Sequence, residues 1–338
     1  MKVGVVGFGY WGPHLVRNFR LIPAVEEVIV CDQSEERLNV AKSLYPGISC
    51  YLRISEMLQA NEIDAIAIAT PSHTHYELVQ ESLSKGLHVL VEKPITTDSL
   101  RAGDLVRMAR DAGLVLMVDH TYLYSDAIKY MKKAADDGRI GRIRSIDSVR
   151  VNLGIFQPDV SVVWDLAIHD LAIICHILGS FPAKVSATGS RHASSKYLST
   201  SYITLFFEGG VVAHIHVSWT SPVKVRRLMV EGELGSFVFD DTLHDEKVKI
   251  YDAQVDSTTI DDGTSLLLNY RLGDVTAPRL NGNETLRVEL LDFVDCVNTK
   301  RDPVSSGVSA VPLIRVLEAI DKSIELNGSS VTVSEIQS

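Results

Sequence analysis

The run Gly7-Phe8-Gly9-Tyr10-Trp11-Gly12 constrains this chain more than any other stretch. It follows a short apolar run, residues 3–6, that reads as a strand, and it precedes a helical pattern through Leu15, Val16, Phe19 and Leu21. Strand, glycine turn and helix in that order open a βαβ unit that holds a dinucleotide. Gly7 permits the tight turn, Gly9 lets the backbone approach a pyrophosphate, and Gly12 allows close helix–strand packing. The helix start then offers unpaired N–H groups and positive dipole to the phosphates. Pro13 falls in its first turn, where a missing N–H costs nothing. Asp32 closes the next apolar run, residues 28–31, at the place of the carboxylate that takes the adenosine ribose 2′-hydroxyl. It would repel a 2′-phosphate, so NAD is expected over NADP, with Arg37 nearby as the countervailing charge.

Strand and helix signals continue to alternate. Helices are predicted over residues 35–44, 76–85 and 99–112, and strands over 63–69, 89–91 and 114–118. The run 63–69 is apolar throughout, as a parallel strand buried on both faces should be. This is the rhythm of a doubly wound α/β domain. Ligands in such sheets bind at the carboxyl ends of strands. Two stretches lie there: Ala69-Thr70-Pro71-Ser72-His73-Thr74-His75 and Val91-Glu92-Lys93-Pro94. Lys93, directly after a buried strand, needs an anionic or hydroxylic partner to offset its desolvation. His73 and His75 lack the partner spacing of a metal site and read as loop hydrogen-bonders; no metal is expected.

After Tyr124 the texture changes. A helix is predicted over residues 127–135, then strands dominate. Residues 148–153 alternate strictly, with Val149, Val151 and Leu153 on one face and Ser148, Arg150 and Asn152 on the other. That polar face reads as solvated sheet or as a substrate floor, with Arg150 and Asn152 as candidates for gripping substrate. Residues 211–220 alternate likewise, with rougher strands over 201–207, 223–231 and 236–239. A polar excursion is expected over 252–277, and amphipathic helices over 285–297 and 311–326. Midway lies Trp164-Asp165-Leu166-Ala167-Ile168-His169-Asp170, in an apolar helical run. Asp165 and His169 at i, i+4 share a helix face, where a carboxylate can orient a histidine base. The expected architecture is a Rossmann domain over 1–121 and an α+β domain with a largely antiparallel open sheet over 122–338, its C-terminal helix able to pack back on the first domain.

Composition narrows the partners. Across 338 residues the formal net charge is −10, with no lysine or arginine block, which argues against nucleic acid and anionic membrane. The N-terminus lacks the pattern of a signal peptide, and no apolar run approaches a membrane span. Cys31, Cys50, Cys175 and Cys296 are scattered, as in a reduced cytoplasmic protein.

The glycine turn, Ala69-Thr70-Pro71-Ser72, Glu92-Lys93-Pro94 and Asp165-x-x-x-His169, in this order and spacing, resemble the glucose–fructose oxidoreductase/inositol dehydrogenase/MocA family of nicotinamide-dependent sugar and polyol dehydrogenases. The resemblance covers essentially the whole chain, with Ala167 standing where many members carry glycine. It implies that Lys93, Asp165 and His169 are catalytic, Lys93 at the reacting hydroxyl and the other two over the nicotinamide. It assigns Gly7, Phe8, Gly9, Tyr10, Trp11, Gly12, Asp32, Thr70, Pro71, Ser72, His75, Glu92 and Lys93 to the cofactor. Substrate falls to Lys93, Tyr122, Arg150, Asn152, Trp164, Asp165 and His169. It also implies a homo-oligomer, dimer or tetramer, through the C-terminal sheet. Segments such as His120-Thr121-Tyr122-Leu123-Tyr124-Ser125 and Val151-Asn152-Leu153-Gly154 are similar to dehydrogenases of nucleotide-linked amino sugars, which implies oxidation at C3 of a UDP-N-acetylhexosamine. The alternatives are an inositol or free-sugar dehydrogenase, and a non-catalytic NAD-binding sensor.

Overall fold

The computed structural model describes residues 1–192, 195–259, 266–271 and 273–334. The chain divides into two compact units, Met1–Ser125 with Asn283–Glu318, and Asp126–Gly282 with Ala319–Ser338.

The first unit is built on six parallel strands: β1 (Lys2–Val6), β2 (Glu27–Cys31), β3 (Ser49–Tyr51), β4 (Ala65–Ile68), β5 (His88–Glu92) and β6 (Leu116–Asp119). Their order is β3-β2-β1-β4-β5-β6. The helices α1 (Gly12–Phe19), α2 (Glu35–Leu44), α3 (Ile54–Ala60), α4 (His75–Ser84) and α5 (Ser99–Ala112) alternate with them. Every residue of β4 is buried, the mark of a strand covered on both faces. Two helices begin where side chains cap free N–H groups: Ser34 accepts from Arg37 N, and Asp98 accepts from Leu100 N and Arg101 N. The chain runs outward from β1 through β3, then returns to β4 on the other side of β1. That reversal makes the β1/β4 edge the switch point where such sheets bind ligands. A later helix, Thr285–Thr299, also belongs to this unit. Its preceding residue Glu284 accepts from Asn18 Nδ2 at 3.0 Å and pairs with Arg17, and Phe293 meets Phe19 edge-on.

The second unit begins with α6 (Asp126–Asp136) and β7 (Ile143–Leu153). A π-helical turn, Val163–Ala167, then runs directly into α7 (Ile168–Leu178). The strands β8 (Lys184–Ser190), β9 (Thr200–Phe206), β10 (Val212–Ser218), β11 (Thr220–Gly232), β12 (Ser236–Asp240) and β13 (Val248–Tyr251) follow. Next come β14 (Gln254–Thr259), β15 (Leu266–Arg271), β16 (Val275–Thr276) and β17 (Val331–Thr332). A nine-stranded sheet has the order β16-β13-β12-β11-β7-β10-β9-β8-β17, and β14 pairs with β15 apart from it. β7 and β10 run parallel, and the remaining neighbours are antiparallel. The Rossmann sheet and the largely antiparallel α+β sheet are as the sequence predicts. Of the excursion expected over 252–277, residues 260–265 and 272 lie outside the described residues.

The polar face of β7 is not solvated. Arg150 is 4% exposed and Ser148 is buried; on the other face Val151 is 4% exposed and Leu153 is 73% exposed. The polar face is covered because Asp170 of α7 brings the partner for both side chains. Arg150 Nε and Nη2 donate to its two oxygens at 2.7 and 3.0 Å, and Ser148 Oγ donates at 2.9 Å. A buried charge persists only when paired and hydrogen-bonded in this way.

Candidate active site

In the first unit the glycine turn is shaped by contacts that exclude side chains. Gly7 has φ +96°, and a Cβ there would lie 2.4 Å from Ala69 O. A Cβ on Gly12 would lie 2.1 Å from Gly7 O. The loop after β4 and the start of α1 thus close directly on the turn. At Gly9 a Cβ would meet only the Arg37 guanidinium, at 3.7 Å, so the turn is open on that side. An open backbone cradle at a helix N-terminus and a switch point fits a dinucleotide pyrophosphate. Phe8 is buried with its N–H donated to Asp32 Oδ2 at 2.7 Å, and Tyr10 is 83% exposed. Trp11 Nε1 donates to Asp119 Oδ2 at 2.7 Å.

Asp32 is buried at the end of β2, with Oδ1 accepting from Ser34 N at 2.8 Å. Arg37 Nη1 lies 3.5 Å from Oδ2. Both line a hollow of about 560 Å³ with Gln33, Ser34, Glu36 and Val40. The charge that would repel a 2′-phosphate therefore has a half-exposed guanidinium beside it.

His75 takes the loop hydrogen-bonding post read for it from the residues, where the resemblance gave it to the cofactor. It is 1% exposed, with Nε2 2.8 Å from Thr70 O and Nδ1 2.7 Å from Pro94 O. Both partners are main-chain carbonyl oxygens, so both ring nitrogens are spent within the protein. His75 ties the loop after β4 to the loop after β5 and does not face a ligand. Thr70 Oγ1 meets Thr74 Oγ1 at 2.7 Å, and Thr74 Oγ1 donates to Pro71 O at 2.8 Å, fixing the loop that carries Ser72. Glu92 likewise turns its carboxyl inward. Burial, then the charge of Asp119, push it well above the usual carboxylate range. Lys93 follows it, joined to Pro94 by a cis peptide bond. Tyr122 is half-buried in the short turn Thr121–Tyr124.

In the second unit the π-helical turn carries Asp165, and His169 follows in the first turn of α7; both are half-buried. π turns recur at functional positions because the extra residue displaces side chains from the regular helical face. Asp165 Oδ2 accepts from Trp219 Nε1 at 3.0 Å, a partner that sequence reasoning missed. Trp219 packs against Phe156 at 5.5 Å between centroids, and Phe156 meets His192 at 5.8 Å. A Cβ on Gly154 would lie 3.0 Å from Trp219 Cδ1 and 3.1 Å from Asn152 Nδ2. Asn152 is therefore in the neighbourhood of Asp165, and a side chain at position 154 would press on both it and the indole. Two other expected substrate contacts have structural posts instead. Arg150 is committed to Asp170, and Trp164 is buried with Nε1 donating to Asp321 Oδ2 at 2.7 Å.

A switch-point glycine turn on a parallel sheet, followed by a separate mixed-sheet unit, defines a two-unit protein of the dinucleotide-binding α/β class. Residues 1–120 match the oxidoreductase family with an NAD-binding Rossmann fold, and residues 128–238 match the GFO/IDH/MocA C-terminal domain. The chain belongs to the GFO/IDH/MocA oxidoreductase family. It is 30% identical over 256 residues to UDP-N-acetylglucosamine 3-dehydrogenase of Acidithiobacillus ferrooxidans, covering 72% of this chain and 76% of that one. It is 25% identical over 267 residues to myo-inositol 2-dehydrogenase of Thermotoga maritima, covering 76% and 80%. A solved structure of the Acidithiobacillus enzyme superposes with a TM-score of 0.81 at 23% identity, covering 96% of this chain and 98% of that one. Among the described residues no helix is long and apolar enough to cross a membrane.

Proposed function

We propose that this chain oxidises a ring hydroxyl of a nucleotide-linked sugar, at C3 of a UDP-N-acetylhexosamine, with NAD as acceptor, in the cytoplasm. The likeness to UDP-N-acetylglucosamine 3-dehydrogenase over 72% of the chain carries the substrate half of this reading. The chemical half is supported by Asp165 and His169 on and beside a π turn, with Asp165 held by an indole N–H. When bound, the nicotinamide ring accepts the hydride. His169 takes the hydroxyl proton as general base. Asp165 orients the imidazole and balances the imidazolium. Lys93 hydrogen-bonds the substrate oxygen and stabilises its developing charge, a contribution of about 3–4 kcal/mol in comparable sites. Gly7, Gly9, Gly12 and Asp32 hold the cofactor, with Pro71 and Ser72 near it, and Tyr122 and Asn152 contact substrate. Exposed apolar side chains on β9 and β10, among them Tyr202, Phe206 and Val212, support a homo-oligomer through this sheet.

Incubation with NAD and a panel of UDP-sugars and inositols, followed by absorbance of reduced nicotinamide, tests the reading. Reduction with a UDP-N-acetylhexosamine is the expected result, and reduction with inositol alone would replace it with a polyol dehydrogenase. Tight cofactor binding without reduction, once mass analysis shows no recycled reduced cofactor, would make the chain a sensor. His169→Ala and Lys93→Met are each expected to keep NADH binding and to lose about a hundredfold or more in kcat. Near-wild-type turnover in either would remove that residue from the mechanism.

A further inference from the structure

The carboxyl ends of β5 and β6 set Glu92 and Asp119 side by side, as the last register pair of two parallel strands. Like charges opposed on neighbouring strands are unfavourable even in water. Here Asp119 is 2% exposed. A third carboxyl comes from Glu289 on the helix Thr285–Thr299, 0% exposed and facing Asp119. Among the described residues no group of three or more His, Cys, Asp or Glu side chains is arranged to hold a metal ion. Glu92 is half-buried beside these two buried carboxyls, and three carboxylates so close together do not all ionise, so protons join them.

The hydrogen bonds say where the charge sits. Asp119 Oδ2 accepts from Trp11 Nε1 at 2.7 Å, and Oδ1 accepts from Thr121 N at 3.2 Å and from Thr121 Oγ1. Donors on both oxygens are the surroundings of a carboxylate. Neither Glu289 oxygen receives an N–H or O–H bond of regular geometry from the described residues. Thr121 is the hydroxyl beside it, and its single proton goes to Asp119; a carboxyl so placed against a carboxylate is the one that carries a proton and donates. Glu92 stands in the same relation to Asp119 and also takes the backbone N–H of Lys93.

We propose that Glu92, Asp119 and Glu289 form a proton-sharing acid triad, with Asp119 accepting from the carboxyl on either side, that anchors Trp11 of the glycine turn and the backbone at Lys93. The three are positioning residues. Burial, then the Asp119 charge, push both Glu92 and Glu289 well above their usual range. The other groups facing the cluster are Lys93 beside Glu92, Thr121 and Tyr124 beside Glu289, and His120 beside Asp119 and Lys93. Two neutral acids have folded pKa values above their unfolded ones. Their contribution to stability is present at low pH and is lost as pH rises from about 4.5 through the raised values.

Glu289→Gln and Glu289→Leu separate this from plain packing. An amide donates to Asp119 at every pH; a leucine cannot. Above pH 6.5, where His120 no longer titrates, wild-type Tm is expected to fall as pH rises, and Glu289→Gln to flatten that slope. Glu289→Gln should keep the NADH Kd within about twofold, and Glu289→Leu should raise it about tenfold as Trp11 loses its anchor. A Gln variant as impaired as the Leu variant, or one that keeps the wild-type slope, would overturn the triad. An unchanged NADH Kd in Glu289→Leu would overturn its anchoring role. Should the Leu variant not fold, Glu92→Gln gives the same flattening if the proposal holds and an unaltered slope if it fails. The anchoring arm rests on residues 7–12 being the cofactor turn. Wild-type NADH binding checks that separately, and the Tm arm needs no cofactor.

Discussion

The carboxylate of Asp165 accepts the indole N–H of Trp219 across 54 residues of sequence, at 3.0 Å. A hydrogen bond to a charged group is worth about 1.5–3 kcal/mol. Trp219→Phe keeps most of the ring and removes the donor. Its kcat is expected to fall by about tenfold or more with the NADH Kd unchanged, read by steady-state kinetics and fluorescence titration. An equal rise in NADH Kd would instead mark the indole as a general packing element.

The Arg150–Asp170 pair makes a different demand, on folding. Removing Arg150 leaves a buried carboxylate without its cation, which costs about 3–5 kcal/mol. Arg150→Met is expected to show that loss in urea unfolding, and Arg150→Met with Asp170→Leu to recover part of it. If the double variant is as unstable as the single one, the pair is not the source of the cost.

Cofactor choice turns on Asp32 and Arg37. Arg37→Ala removes the guanidinium 3.5 Å from the Asp32 carboxylate. NADP affinity should drop by about tenfold while NAD affinity changes little, as isothermal titration would show. A larger loss for NAD than for NADP would mean that Arg37 serves the ribose hydroxyls or the turn itself.

Burial pulls His120 down to about 4, against the opposing charge of Asp119. The unfolded chain binds this proton more readily than the folded one, so stability is full above pH 6.5 and falls as pH drops towards 4. The loss from this residue is about 3 kcal/mol. His120→Asn should flatten the acid side of the Tm profile; an unaltered acid limb would place the titration elsewhere.

Local rules made the first unit legible. Gly7 and Gly12 are read from spacing because the backbone contacts that exclude a Cβ lie within the same βαβ unit. Ser34 and Asp98 act locally too, each capping its helix within the next three residues. The short β3 and α3 escaped because three and seven residues are too few for a period to emerge. Alternation in β7 revealed two faces and not that the polar one is covered, since the deciding residue, Asp170, comes from a helix further along the chain. Within the site, Lys93 and Asp32 are marked by their positions at strand ends. Trp219, Asp119 and Glu289 carry no local mark, because their partners are distant in sequence. The resemblance placed His75 at the cofactor, while its ring joins two loops, the hydrogen-bonding role read from the residues alone.

The π turn holds one residue more than a regular helix needs between Ser161 and Ile168. That residue separates two obligations a uniform helix would set against each other. α7 is apolar almost all round and must keep one angular setting so that Asp170 meets Arg150. Asp165 must keep another so that it meets Trp219. A single-residue deletion at Leu166 or Ala167, harmless by composition, would turn one set by about 100° against the other. The helix can then satisfy its counter-ion or its indole, and not both, so chain length in this segment is itself under constraint.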